Sequence, residues 1–324
     1  MKSLTTGIGA LFLAAVGLAS AQSPAPTIDS YISDAKVAAG MDWAGTFLRL
    51  CVPPPAGARR RRGGPRPTPE RETWYARPQK VADNLYFIGT RTHNSWALVG
   101  SEGIIVIEAL YAYAAKDEVL DGLKSLGLDP ANVKYVILSH AHGDHDGGAK
   151  MLQDQIPGVQ LIYGAEDWDL AESQPDRSGG VPKRNKIGDD GMNVSVGDAS
   201  VRIVTMPGHT EGTLSYLFEV KDNGQPLRVA YVGGTAIPFN GSAELYDRYI
   251  ASSKKMGDAT TAYGATVLLS NHTEFDKAYL KAHLAASRHP GEQNPFDVGQ
   301  DGVARYFTVV QACASAAKLR AAGE

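Results

Sequence analysis

The decapeptide SHAHGDHDGG, Ser139 to Gly148, sets three histidines and two aspartates directly after the apolar run Val136, Ile137, Leu138. A short apolar run of this kind reads as a buried strand. The chain must therefore end a core strand in a dense group of ligand-type side chains. The stretch is not expected to be an exposed helix face, because Gly143 and the flanking glycines disfavour helix. Nor does it read as core, since five polar groups would each need a partner. A divalent ion satisfies them together. Neutral imidazoles with a carboxylate suit zinc, which takes His nitrogen and Asp oxygen in four-coordinate sites.

Two further apolar runs end the same way. VILSH closes on His140, IVTMPGH on His209 and VLLSNH on His272. Loops at strand ends, held by a rigid sheet, are where sites are built. His140, His142, His145, His209 and His272 account for five of the eight histidines; His93, His283 and His289 fall in a loop, on a helix and beside a proline. With Asp144 there are six candidate ligands, too many for one tetrahedral ion that keeps a position open for water. Two ions divide them better. The alternate residues His140 and His142 converge on one ion with His209, while Asp144 and His145 face a second ion with His272.

The remaining sequence bounds the setting. The start, MKSLTTGIGALFLAAVGLASAQ, carries one lysine, an apolar run, and small residues at Ala19 and Ala21, the pattern of a secretory signal cleaved after Ala21. An exported, periplasmic or secreted protein is expected, with no transmembrane segment once residues 1–21 are removed. The formal net charge of −3 offers no basic surplus for nucleic acid. The run ARRRRGGPRPTPER, residues 58–71, reads as a solvated linker. The two cysteines, Cys51 and Cys313, are an even pair in an exported chain and suggest a disulfide from the N-terminal arm to the last helix; two separate buried thiols are the alternative.

Residues 22–80 are expected to hold one N-terminal helix (28–50) and the linker, and residues 81–324 the main domain. There NLYFIGT, SWALVG and GIIVIEA read as an antiparallel meander. AAKDEVLDGLKSLG follows as a helix closing at Gly127, then KYVILS as a strand. Residues 174–193 read as a surface loop, VRIVTM, TLSYLFEV, LRVAYVGG and TVLLS as strands, and 242–263, 275–287 and 300–320 as helices. Strands with helices, then strands with helices again, give an α/β fold of two mixed sheets packed together with helices on the outer faces.

HAHGDH, followed by PGHTEGTLSY and SNH, resembles the metallo-β-lactamase superfamily from about Val81 to the C-terminus. The resemblance implies an αββα sandwich, two Zn2+ per chain at one edge, and hydrolysis by a zinc-bound hydroxide that Asp144 orients. In glyoxalase II-like hydrolases and lactonases of this family a Gly-Asp step supplies a bridging aspartate; here RVAYVGGTAIPF has Gly233 and Gly234 at that place. No cysteine lies between Cys51 and Cys313 to act as a ligand, as one does in two subclasses of the zinc β-lactamases. A three-histidine site beside an Asp-His-His site is most like subclass B3, which implies a small-molecule β-lactam substrate and a role in antibiotic resistance. Gly234 and Ala236 stand where serines are expected to hold the substrate carboxylate. Thr235 offers a hydroxyl there, and Thr210 a group to orient a ligand. A loop over the metals is expected around His93 to Trp96 or within 174–193. The alternatives are a hydrolase of a lactone, ester or phosphate ester on the same fold, and a non-catalytic zinc-binding protein.

Overall fold

The computed structural model describes residues 25–55 and 67–323. The expected signal segment 1–21 and the arginines from 59 to 66 lie outside the described residues. The helices are α1 (Ile28–Ala39), α2 (Ala44–Cys51), α3 (Arg71–Trp74), α4 (Asp121–Ser125), α5 (Gly143–Asp146), α6 (Ala149–Gln155), α7 (Ala165–Glu172), α8 (Ala243–Tyr263), α9 (Thr273–Asp276), α10 (Ala278–Ala286) and α11 (Gly299–Ala322). The strands are β1 (Gln79–Lys80), β2 (Leu85–Phe87), β3 (Trp96–Gly100), β4 (Gly103–Ile107), β5 (Val133–Ile137), β6 (Gln160–Tyr163), β7 (Lys186–Ile187), β8 (Asn193–Val196), β9 (Ala199–Thr205), β10 (Leu214–Asp222), β11 (Gln225–Val232) and β12 (Val267–Ser270).

Seven strands run in the order β1 to β7, and five in the order β12-β11-β10-β9-β8. The first sheet is antiparallel through β4 and parallel from β4 to β7; in the second only β11 and β12 are parallel. Strand alternation explains the layers. Ile105 and Ile107 of β4 point into a central core with Tyr216 and Phe218 of β10, while Ile104 and Val106 point outward under α4 and α6. Leu217 points to the other outer layer, against α8 and α11. This is the expected αββα sandwich. Truncating a fully buried residue such as Ile107 to alanine would cost about 2–5 kcal/mol.

Local chemistry sets the element ends. Thr27 and Ser30 form a reciprocal capping box at the start of α1. Ser242 caps α8, and Gly264 ends it in the left-handed region at φ +73°. The single N-terminal helix expected over 28–50 is two, broken at Gly40, because the chain turns to bury Trp43, whose indole N–H donates to Gly302 O at 2.8 Å. Cys51 and Cys313 are joined, with Cα atoms 4.8 Å apart, and the bond ties α2 to α11. Closing so long a loop constrains the unfolded chain, a stabilisation of typically 2–4 kcal/mol. The helix expected from Ala114 begins as a π-helical turn, Lys116–Leu120, before α4. The segment 174–193 is not wholly loop: Lys186–Ile187 adds an edge strand to β6, and Arg177 pairs with buried Asp146. Among the described residues no helix is long and apolar enough to cross a membrane.

Candidate metal centre

The two sheets meet where Leu214 N–H donates to Ser139 O at 2.8 Å, and around this seam β5, β12 and the β9–β10 loop end together. His140 and His142 follow β5, His209 lies in the β9–β10 loop, and His272 follows β12. The expectation that HAHGDH avoids helix needs correction. Residues 143–146 form one helical turn, α5, entered from extended His142. Gly143 costs such a turn only backbone entropy and does not take a positive φ there. The turn presents no exposed histidine face, because His145 points inward and is fully buried.

The first donor group is His140, His142 and His209. His209 Nε2 lies 3.1 Å from His140 Nε2 and 3.0 Å from His142 Nδ1. The other nitrogens are engaged: His209 Nδ1 donates to Ala236 O, and His140 Nδ1 pairs with Ser139 Oγ at 2.9 Å. Burial, helped by neighbouring imidazoles, holds His140 well below the ordinary histidine range and brings His209 down to about 4. At neutral pH these are uncharged rings whose lone pairs converge without donors between them. A cation is what such a set accommodates, so the residues fit zinc.

The second group surrounds Asp144. Its Oδ2 lies 3.3 Å from His145 Nε2, 3.7 Å from His272 Nε2 and 3.4 Å from His93 Nε2. His145 Nε2 and His272 Nε2 are 3.0 Å apart. Burial would raise Asp144, yet His145, His93 and His272 hold it well below the usual carboxylate range. His272 is depressed by burial and by His145 and His93. A carboxylate ringed by imidazole nitrogens again fits a divalent ion. All six expected ligands are thus brought together, and His93, read from sequence as part of a covering loop, joins them.

The partners behind the ligands come from distant segments. Asp167 accepts from Ala141 N–H at 2.9 Å and from Thr210 Oγ1 at 2.6 Å, so Thr210 ties the His209 loop to the residue between His140 and His142. Glu108, fully buried at the end of β4, accepts from Tyr231 OH at 2.7 Å and lies 3.9 Å from His145 Nδ1. Among the described residues that nitrogen has no hydrogen-bond partner. Burial pushes the Glu108 carboxyl up. Sequence reading missed Glu108 and Asp167; the one hint was an ionisable residue closing the apolar run GIIVIEA. Thr235 is buried and donates to Asn271 Oδ1 at 2.7 Å, so its hydroxyl supports the residue before His272 and is not offered to a substrate.

A cleft of about 770 Å³ opens over both donor groups, walled by Arg49, Tyr111, Ala236 and Glu274 with the ligands beneath. Neither expected covering loop lies free above it. Trp96 is in the core, His93 and His272 form a β-bridge, and residues 174–193 supply none of the walls. A bridging aspartate has no room. A Cβ on Gly233 would stand 2.0 Å from Leu214 O, and one on Gly234 2.8 Å from Thr213 Cγ2 and 2.9 Å from His209 Cβ.

Comparison with known proteins agrees with this architecture. Hydroxyacylglutathione hydrolase of Synechocystis sp. is 26% identical over 192 residues, which are 57% of this chain and 65% of that enzyme, so the match spans just under two thirds of the relative. Among solved structures, BJP-1, a subclass B3 metallo-β-lactamase of Bradyrhizobium japonicum, superposes with TM-score 0.59 at 25% identity over 72% of this chain and 90% of its own. Native FEZ-1 metallo-β-lactamase from Legionella gormanii shares the fold with TM-score 0.62 at 22% identity over 75% and 94%. Residues 88–224, which hold His140, His142, Asp144, His145 and His209, match the metallo-β-lactamase superfamily model, and the fold and donor set are similar to those of that superfamily.

Proposed function

We propose that this chain is an exported dinuclear zinc hydrolase that opens the β-lactam ring of antibiotics. The observation that carries the reading is glycine at 233 and 234, where a side chain would collide with Leu214 O and with Thr213 and His209, beside a three-histidine group and the close set of Asp144, His145 and His272. Solved structures of similar fold are described as subclass B3 metallo-β-lactamases, which supports the same choice.

When bound, zinc supplies polarisation of the scissile carbonyl and a water of lowered pKa. The chain's own groups do the rest. Asp144, held ionised, accepts a hydrogen bond from the attacking water and turns it toward the carbonyl carbon. Ser139 at His140 and Ala236 O at His209 fix ring orientation, so that nitrogen lone pairs face the centre. Arg49, whose Nε donates to Glu274 at 2.6 Å, places a guanidinium at the cleft edge for the carboxylate that β-lactams carry. A cleft of this volume suits a drug-sized molecule, which favours catalysis over metal storage.

The test is hydrolysis of a chromogenic cephalosporin by zinc-loaded protein lacking residues 1–21, with and without a chelator. Chelator-sensitive turnover is expected. The hydroxyacylglutathione hydrolase relative favours a second reading, a thioester or related ester as substrate. Turnover of such a thioester with none of the cephalosporin would replace the first reading by the second. Inertness toward both, with two zinc ions held, would favour a non-catalytic protein. Export is checked separately by N-terminal sequencing of the periplasmic protein, which should begin at Gln22.

A further inference from the structure

We propose that His93 is a fourth protein donor to the second metal ion, beside Asp144, His145 and His272. The inference rests on the reading of the cluster as a metal centre. It goes beyond the Asp-His-His set that the family resemblance implies.

The donors of the second group are gathered around Asp144. Asp144 Oδ2 is 3.3 Å from His145, 3.4 Å from His93 and 3.7 Å from His272, so one carboxylate oxygen is the hub of three imidazole nitrogens. The donor atoms of His93, Asp144 and His272 all lie within 4.8 Å of one another. The rings of His93, His145 and His272 form a triangle, with centroids 5.9 Å apart for His93 and His145 and 4.8 Å from each of these to His272.

The His93 ring is also set for ligation. Its Nδ1 is 2.9 Å from Thr92 Oγ1; donation there leaves the Nε2 lone pair facing Asp144. The backbone is pinned to the segment that carries His272. His93 and His272 form a β-bridge, Asn94 N–H donates to Asn271 O at 2.9 Å, and Thr273 N–H donates to Thr92 O at 3.1 Å. Inside the turn, a Cβ on Gly89 would meet His93 O at 2.6 Å and Ser95 N at 2.7 Å, so the tight return that aims His93 requires glycine. A surface ion pair would need none of this framework.

The experiment is titration of metal-free full chain with Co2+ and with Zn2+, comparing the wild type with His93→Ala and His93→Gln. Stoichiometry is read by calorimetry and the coordination sphere by the cobalt visible bands. The expected result is unchanged affinity for the first ion, a loss of at least about tenfold for the second, and cobalt bands of the second ion altered in both variants. Equal affinities and unaltered bands for both ions would overturn the proposal. So would loss of both ions together in His93→Gln when its metal-free Tm equals that of wild type. None of these readouts uses turnover, so the outcome stands apart from the fate of the β-lactam reading.

Discussion

The two donor groups of the metal centre are built by different means. The first takes His140 and His142 from one extended step after β5 and adds His209 from a loop tied to it through Thr210 and Asp167. All its donors are neutral imidazoles. The second gathers residues from the β2–β3 loop, α5 and the end of β12, and holds the only carboxylate among the ligands. Its geometry depends on tertiary stitching. Buried Asp276 accepts from Ser270 N–H at 2.7 Å and from Asn94 Nδ2, joining the segments that carry His272 and His93. The contrast teaches that a neutral group takes two of its three donors from one local step, whereas the carboxylate-centred group is a longer-range assembly suited to holding charge.

The largest effect should follow from removing that carboxylate. Asp144→Ala is expected to lower kcat on the order of 10²–10³-fold, the range for losing a preorganised electrostatic partner. Zinc content should fall toward one ion per chain while the fold persists. Near-normal turnover with one ion bound would mean that the second group has no part in the chemistry, and the comparison would break.

Asp276→Asn probes the stitching without touching a ligand. Asparagine keeps one acceptor oxygen but turns an NH2 toward donors that Asp276 now satisfies, among them Ala278 N–H at 2.8 Å. The second ion should bind about 10–100-fold more weakly, as for other groups that orient ligands, and the first should be unaffected in competition with a chelator of known affinity. Equal weakening of both ions would show that the groups are not separately built.

The same division decides what the sequence revealed. Strand periodicity placed most of the sandwich, and the repeated pattern of an apolar run, a polar step and a histidine marked His140, His209 and His272. His142, Asp144 and His145 were legible because they crowd one decapeptide. His93 stands between two apolar runs in the same way, but in RTHNSW no neighbouring ligand type supports it. Its position depends on a β-bridge to His272, some 180 residues away, flanked by the Asn94–Asn271 and Thr92–Thr273 hydrogen bonds. Glu108, Asp167 and Asp276 are lone acids whose burial is set by tertiary packing. Strands β1 and β7, two residues each, are too short to show a period, and their pairing comes from the neighbours β2 and β6.

Thr210→Val is the counterpart of Asp276→Asn on the first group. The Thr210 hydroxyl donates to Asp167, whose other oxygen accepts from Ala141 N–H. Burial already raises the Asp167 carboxyl, and losing the hydroxyl would raise it further. The expected outcome is a weakening of the first ion by about tenfold with the second unchanged, by the same competition measurement. Weakening of the second ion alone would reverse the assignment of supports.

The smallest effect is one of pH, and it sets the two groups against each other in the metal-free protein. Burial brings His209 down to about 4 from an ordinary value of 6.5, so between these values the unfolded chain binds more protons; stability present above about pH 6.5 is lost as pH falls through 4. Burial raises Asp276 to about 6 from 3.8, against the pull of Lys281 and its hydrogen bonds. Here the folded chain binds more protons, so stability present below pH 3.8 is lost as pH rises through 6. The two slopes oppose each other across the same window, each at most about 1.4 kcal/mol per pH unit. Asp276→Asn removes the opposing slope. Its Tm, measured with chelator present, should therefore climb more steeply from pH 4 to 6 than that of wild type, even if it is lower throughout. Parallel curves would mean that Asp276 stays ionised in the fold, and that the second group is held by a buried charge rather than by a neutral hydrogen-bonding acid.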